Sequence, residues 1–238
     1  TLNELIIAHL QGENGDVLAL LSSSNKISSY SSTGELETLW PKQQVSQLGP
    51  IRYAMEMNTG ALLFDGSGRV AIYQAADHAV IDIGSLQGRP RGVYQQGEIF
   101  LALVEIGAGN VQMKRLQVRG EKMSIERTGP PTIWATRRHD GVLYAVGGDY
   151  SCWAWNKKGE EELLRSAPVA ERVDEEILGV LASRSDIHLL TSGGKHFEYK
   201  PASGKSRFIS NDVHRLLLHD GQVVEEVASG LRVGNSLF

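Results

Sequence analysis

Apolar and polar residues alternate in short runs along almost the whole chain. IRYAMEM (51–57), ALLFD (61–65), RVAIYQ (69–74) and AVIDI (79–83) follow one another, separated by Gly, Asp, Asn and Ser. TIWATRR, VLYAV, CWAWN and EELLR repeat the arrangement between 132 and 165. Alternation over 4–8 positions between turn-forming residues predicts antiparallel strands joined by tight turns. No segment keeps a 3.6-residue period. The best helical stretch, APVAERVDEEILGVLA (167–182), ends in EILGVLA, which fits a strand and leaves room for at most one short helical turn.

These runs recur. KISSYSSTG, RVAIYQAAD, SCWAWNKKG and KHFEYKPASG each place an aromatic at one position: Tyr30, Tyr73, Trp155 and Tyr199, spaced by 43, 82 and 44 residues. The middle interval is two periods, and NVQMKRLQV fills it with Arg115 or Leu116 at the aromatic position. A second marker, a turn before an apolar strand, repeats in phase at Gly15, Gly60, Gly97, Gly141 and Gly221, with Asp186 near that place in the fifth copy. A period of about 40 residues holding four strands predicts an all-β fold, a β-propeller, because radial stacking covers both faces of each sheet. The expected blades span approximately 4–40, 51–86, 91–129, 132–167, 176–209 and 213–238, as a single domain over 1–238. Part of a larger propeller is the alternative. The last copy reaches only a third strand, LRVGNSLF, so the sixth blade is expected to be incomplete. Its outer edge would then be supplied by a missing segment, a partner or a second copy. The four aromatics are assigned to packing between blades.

The ends of these units resemble WD repeats, in which an apolar strand ends in an aromatic and a Thr-Gly turn follows. Tyr30 leads to Thr33-Gly34, Tyr199 to Ser203-Gly204, and Trp155 to Asn156 and Gly159. The aspartate that follows the aromatic in WD units is replaced by Ser31, Gln74, Asn156 and Lys200, and the Gly-His pair is absent. The resemblance therefore implies WD-like architecture only.

Composition narrows the function classes. Net charge is −4 with 24 Lys+Arg against 28 Asp+Glu, so neither a nucleic acid nor a membrane surface is the expected partner. No apolar run approaches the roughly 18 residues of a membrane span. A lone Cys152 rules out an internal disulfide and fits a cytoplasmic location. Glycine, at 26 residues, exceeds the average of roughly 7%, as a turn-rich protein requires.

The chemistry-bearing motifs are few. His139-Asp140 and His219-Asp220 precede glycines in register with the other turns, and read as hairpin turns rather than catalytic pairs. None of the seven histidines has zinc-type spacing, and no HExxH, CxxC or phosphate-binding loop occurs, so no metal, cofactor or catalytic residue is expected. His188 and His196 read as structural histidines. The starts of the innermost strands carry one carboxylate and two arginines, which favours an anionic or aromatic contact over the calcium site of lactonase-type propellers. Propeller sites lie on loops held by a rigid frame. One loop face should gather Trp40, Arg52, Arg89, Arg91, Trp134 and Tyr150, with His214 where the last blade begins. Against these arginines stands the acidic run Glu171, Asp174, Glu175 and Glu176. The basic stretch KRLQVRGEK (114–122) reads as a solvent-facing strand pair. The function expected is a non-catalytic scaffold, or an inhibitor of the immunity type, that binds a protein partner through this face. A small-molecule-binding or hydrolytic, lactonase-like propeller using the central channel is the alternative.

Overall fold

The computed structural model describes residues 6–11, 17–21, 26–30, 36–40, 48–77, 79–107, 110–131, 134–137, 141–148, 150–165, 175–184, 186–234 and 236–237. The chain divides into two compact units, residues 1–95 with 99–129 and residues 96–98 with 130–238. The first unit carries three sheets. Sheet one is β1 (Ile6–Gln11), β2 (Val17–Leu21), β3 (Lys26–Tyr30) and β4 (Leu36–Trp40). Sheet two is β5 (Ile51–Met57), β6 (Gly60–Asp65), β7 (Arg69–Gln74) and β8 (Ala79–Ser85). Sheet three is β9 (Arg89–Gln96), β10 (Ile99–Gly107), β11 (Asn110–Arg119) and β12 (Lys122–Pro131). The second unit carries sheet four, β13 (Trp134–Arg137), β14 (Leu143–Val146), β15 (Cys152–Trp155) and β16 (Glu161–Arg165). Sheet five is β17 (Ile177–Ala182), β18 (Ile187–Thr191), β19 (His196–Lys200) and β20 (Lys205–Ser210). Sheet six is β21 (Val213–His219), β22 (Gln222–Val227), β23 (Gly230–Val233) and β24 (Ser236–Leu237).

Strands follow sequence order in every sheet. First strands lie side by side, β1 against β5 in the first unit, and β13, β17 and β21 in turn in the second. No helix occurs among the described residues, so none is long and apolar enough to cross a membrane. The 167–174 part of the one helical candidate lies outside the described residues, and its end, Ile177–Ala182, is β17.

The middle strands explain why their sequences read as unbroken apolar runs. In β6 and β7, Ala61, Leu63, Ala71 and Tyr73 face Ile27, Leu48 and Ile51. Leu62, Phe64, Val70 and Ile72 face the other way, onto Phe100, Ala102, Val104 and Leu116 of sheet three. Sheet two is therefore covered on both faces, which requires apolar side chains at successive positions. The aromatics take one place in the register. Tyr30 stands opposite Val17, Tyr73 opposite Ala61, Trp155 opposite Leu143 and Tyr199 opposite Ile187. Leu116 fills that place in sheet three, opposite Phe100. Lys114, two residues earlier, is buried and donates to Leu86 O at 2.6 Å, which corrects the solvent-facing reading at that residue, whereas Arg119, Glu121 and Lys122 are exposed. Cys152 is also buried, and burial pushes its thiol up to about 12, so it is an inert packing residue.

In sheets two, four and five the turn between second and third strands ties the sheet to the lead-in of the next. Gly68 O accepts from Leu86 N, and Gly194 O from Val213 N. Both glycines have left-handed backbones, φ 92° and 73°. The equivalent residue in sheet four is Tyr150, with φ 63°, and here the phenol makes the tie by donating to Glu175 O at 2.7 Å. A tyrosine in this region is strained. The hydrogen bond and the buried ring offset that cost.

Asp65 organises the corresponding turn in sheet two. Fully buried, it accepts from Gly49 N, Ser67 N, Ser67 Oγ and Arg69 N at 2.7–2.9 Å. Burial raises its pKa, but the Ser67 hydroxyl and the three amides outweigh it and hold the carboxyl below its ordinary value. Asp65→Ala orphans these donors and should cost about 2 kcal/mol, measured by urea unfolding. A depressed folded pKa means the wild-type contribution is complete above about pH 4 and is lost as pH falls through the folded value. The gap between wild type and variant should close in that acid range.

The sixth sheet corrects the expectation of a missing strand. LRVGNSLF turns at Gly234, and β24 pairs Ser236 with Val233 and Leu237 with Arg232. The fourth position is filled, but by a stub of two residues, too short for an alternating pattern to announce it. The Asp220-Gly221 loop behaves as its sequence predicts, with φ 48° and 75° in a two-residue hairpin between His219 and Gln222. His139 and Asp140 lie outside the described residues.

Candidate functional site

First strands share a further device. In β1, β5, β17 and β21 the register slips by one residue after the first pair, leaving Ile7, Arg52, Leu178 and His214 out of the ladder. A bulge re-aims the extra side chain. Ile51, Ile177 and Val213 are buried just before it, whereas Arg52, Leu178 and His214 are exposed.

In the first unit the bulge carries Arg52 to a cavity of about 510 Å³. Arg89 and Arg91, at the start of β9, line the same cavity, with Tyr53, Ser67 and Glu105. Arg91 donates from Nε and Nη2 to Glu105 Oε2 at 2.9 and 2.8 Å. Arg52 and Arg89 are exposed, and their guanidinium groups make no hydrogen bond or ion pair among the described residues. The three arginines expected from the sequence thus line one cavity, and Glu105, the carboxylate among its lining residues, is paired with Arg91. The arrangement attracts an anion, and planar guanidinium groups suit carboxylate or phosphate oxygens.

The other expected residues fall elsewhere. Tyr150 is a core residue, 7% exposed, and not an open contact. Glu175 is held by Lys195 Nζ at 2.6 Å and by the Thr191 hydroxyl, so this part of the acidic run braces a turn. Trp40 pairs with Ile27 and Trp134 with Val146 through the backbone, and the two indole rings lie outside the described residues. His214 is exposed at its bulge in sheet six.

The second unit holds a constellation that linear spacing concealed. The shared register makes His188, His196 and Glu198 the counterparts of Leu62, Val70 and Ile72 in sheet two. Where sheet two packs apolar side chains onto its neighbour, sheet five turns two imidazoles and a carboxylate toward Glu225 of sheet six. All four are buried. His188 Nδ1 lies 2.8 Å from His196 Nε2, and His196 Nδ1 lies 2.5 Å from Glu225 Oε1. Ser210 Oγ and Arg232 Nε also donate to Glu225. Arg207 forks onto Glu198, with contacts of 2.6 and 3.2 Å. Burial first, then the field of His196, pushes His188 down to about 4. Burial likewise lowers His196, although Glu225 pulls the other way. Burial raises Glu225, but its bonds from Ser210, His196 and Arg232 prevail and keep it ionised. Asp186, His188 and Glu198 have ligand atoms within 4.8 Å of one another, and are the described residues that could hold a metal. An alternating strand shows that 188, 196 and 198 share a face only once the hairpin register is known. Glu225 arrives from another sheet altogether.

No family model and no curated protein matches the sequence. Solved structures do. A structure of YCF48 bound to D1 peptide superposes with TM-score 0.52 at 11% identity, covering 98% of this chain and 77% of that one. Selenomethionine-substituted virginiamycin B lyase from Staphylococcus aureus gives 0.50 at 10%, covering 96% and 83%. A chain of the mitotic checkpoint complex gives 0.51 at 13%, covering 93% and 70%. These similar structures are β-propellers. Together with six four-stranded antiparallel meanders, they establish the fold of this chain as a β-propeller of WD-like architecture.

Proposed function

We propose that the chain is a binding propeller, its six sheets the blades of one domain, that docks a protein partner by an acidic segment seated among Arg52, Arg89 and Arg91. The observation that carries this reading is the convergence of three guanidinium groups on one cavity holding a single carboxylate. Their types do not recur from sheet to sheet, so the repeat does not demand them. Among similar structures, YCF48 is bound to a peptide, which makes peptide docking a precedent for the fold. A scaffold and an immunity-type inhibitor would both use such a surface.

The test is fluorescence anisotropy with labelled Asp/Glu-rich peptides and a Gln/Asn-substituted control. Acidic peptides should bind and the control should not. Arg89→Ala and Arg91→Ala should each weaken binding about thirtyfold, the loss of an anchor worth about 2 kcal/mol. Arg89→Ala should leave the melting temperature unchanged, because the Arg89 side chain is exposed and its guanidinium bonds to none of the described residues. Equal binding of acidic and neutral peptides, or affinity unmoved in the Arg52→Ala/Arg89→Ala double variant, would overturn the proposal.

A further inference from the structure

We infer that Asp186, His188 and Glu198 form a binding site for a first-row transition-metal dication, Zn2+ being the natural probe. The site lies in the second unit and is independent of the arginine cavity.

Three observations converge. The three residues line one cavity of about 420 Å³, which leaves room for an ion and water. One nitrogen and two carboxylate oxygens make a donor set for zinc-like ions, with a fourth position left open. Ligand atoms tetrahedrally placed around zinc stand about 3.4 Å apart. Those here lie within 4.8 Å, so adjustments on the scale of a side-chain rotation close the site.

The second observation is the proton order along the imidazoles. Glu225 is an acceptor, held by Arg232 and Ser210, so His196 Nδ1–H donates to it. His196 Nε2 then carries a lone pair and accepts from His188 Nδ1–H. That leaves His188 Nε2 with its lone pair free to coordinate. A ligating histidine nearly always donates its other N–H to a fixed partner, and here that support already stands. Arg207 orients Glu198 in the same sense, and each oxygen it bonds keeps another lone pair. Its positive charge opposes a dication, so binding should be moderate, in the micromolar range on the scale of ordinary affinities.

The third observation is the departure from the repeat. Leu62, Val70 and Ile72 pack sheet two against its neighbour, and the counterparts His188, His196 and Glu198 give up that apolar burial. Polar residues at core positions without a ligand oppose stability, and such departures mark functional sites.

The experiment titrates the metal-free full chain with Zn2+ by calorimetry, and with Co2+ by visible absorption. One equivalent should bind, and bound Co2+ should show ligand-field bands of a site containing nitrogen. His188→Leu restores the residue type that sheet two carries, so it should fold, and it should weaken binding at least a hundredfold. His196→Gln removes support without removing a ligand and should weaken binding 10–100-fold. His219→Ala, far more exposed, should change nothing. Absence of saturable binding by the full chain would overturn the proposal. So would binding that survives both His188→Leu and Asp186→Asn, with circular dichroism melts verifying that each variant is folded.

Discussion

Tyr73→Ala is expected to destabilise the protein by about 3–4 kcal/mol, the scale for truncating a buried aromatic. The ring is fully buried in a cluster to which Ile27, Leu48, Ile51 and Leu63 contribute. Its position opposite Ala61 in sheet two is the one that Trp155 holds opposite Leu143 in sheet four and Tyr199 opposite Ile187 in sheet five. Interiors packed this densely collapse only partly around a deletion, so cavity formation adds to the lost transfer free energy. Urea unfolding should report the drop. Peptide binding by the fraction that stays folded should be unchanged, because Tyr73 does not line the arginine cavity. A loss under about 1 kcal/mol would contradict the packing role of the repeated aromatic.

The second large effect is expected at Glu225. Its carboxylate receives His196, Ser210 and Arg232, and it is 5% exposed. Glu225→Ala strands a guanidinium and an imidazole N–H at once. Removing one member of a buried charged network typically costs about 3–5 kcal/mol, more than the intact network contributes relative to apolar packing. Glu225→Gln retains the shape and one acceptor oxygen and should lose less. Replacing Glu225 and Arg232 together should cost less than the two single changes added, since neither partner is then left alone. A double-mutant cycle by thermal unfolding reads this coupling, and strict additivity would mean that the contact carries no energy.

The legible and illegible parts of the molecule divide along physical lines. The middle strands of sheets two, four and five are buried on both faces, so their runs of apolar residues and flanking turns are visible without coordinates. The aromatic period reports a fixed register, and Tyr73, Trp155 and Tyr199 fall into it. Arg52, Arg89 and Arg91 were readable as a group because loops and strand starts gather at one end of a sheet. Tyr150 was not, since its ring serves a turn whose demand for a left-handed backbone leaves no mark on hydrophobicity. Lys114 looked like part of a basic surface because charge in sequence does not disclose the one carbonyl, Leu86 O, that satisfies a buried amine. The histidine pair escaped for a geometric reason. His188 and His196 meet diagonally across a hairpin, and Glu225 is 29 residues beyond His196 on another sheet.

The bulges of the first strands have a practical meaning. A residue squeezed out of the ladder has no cross-strand partner to satisfy, so its identity is uncoupled from the pairing around it. Arg52, Leu178 and His214 are exposed on separate sheets, each anchored by a buried aliphatic neighbour. Exchanges at such surface positions ordinarily shift stability by about 0.5 kcal/mol or less. Degenerate codons at 52, 178 and 214 would therefore yield a library of variants with one common melting behaviour. The scaffold comes with its own randomisable letters, from which new recognition properties can be selected without redesigning the frame.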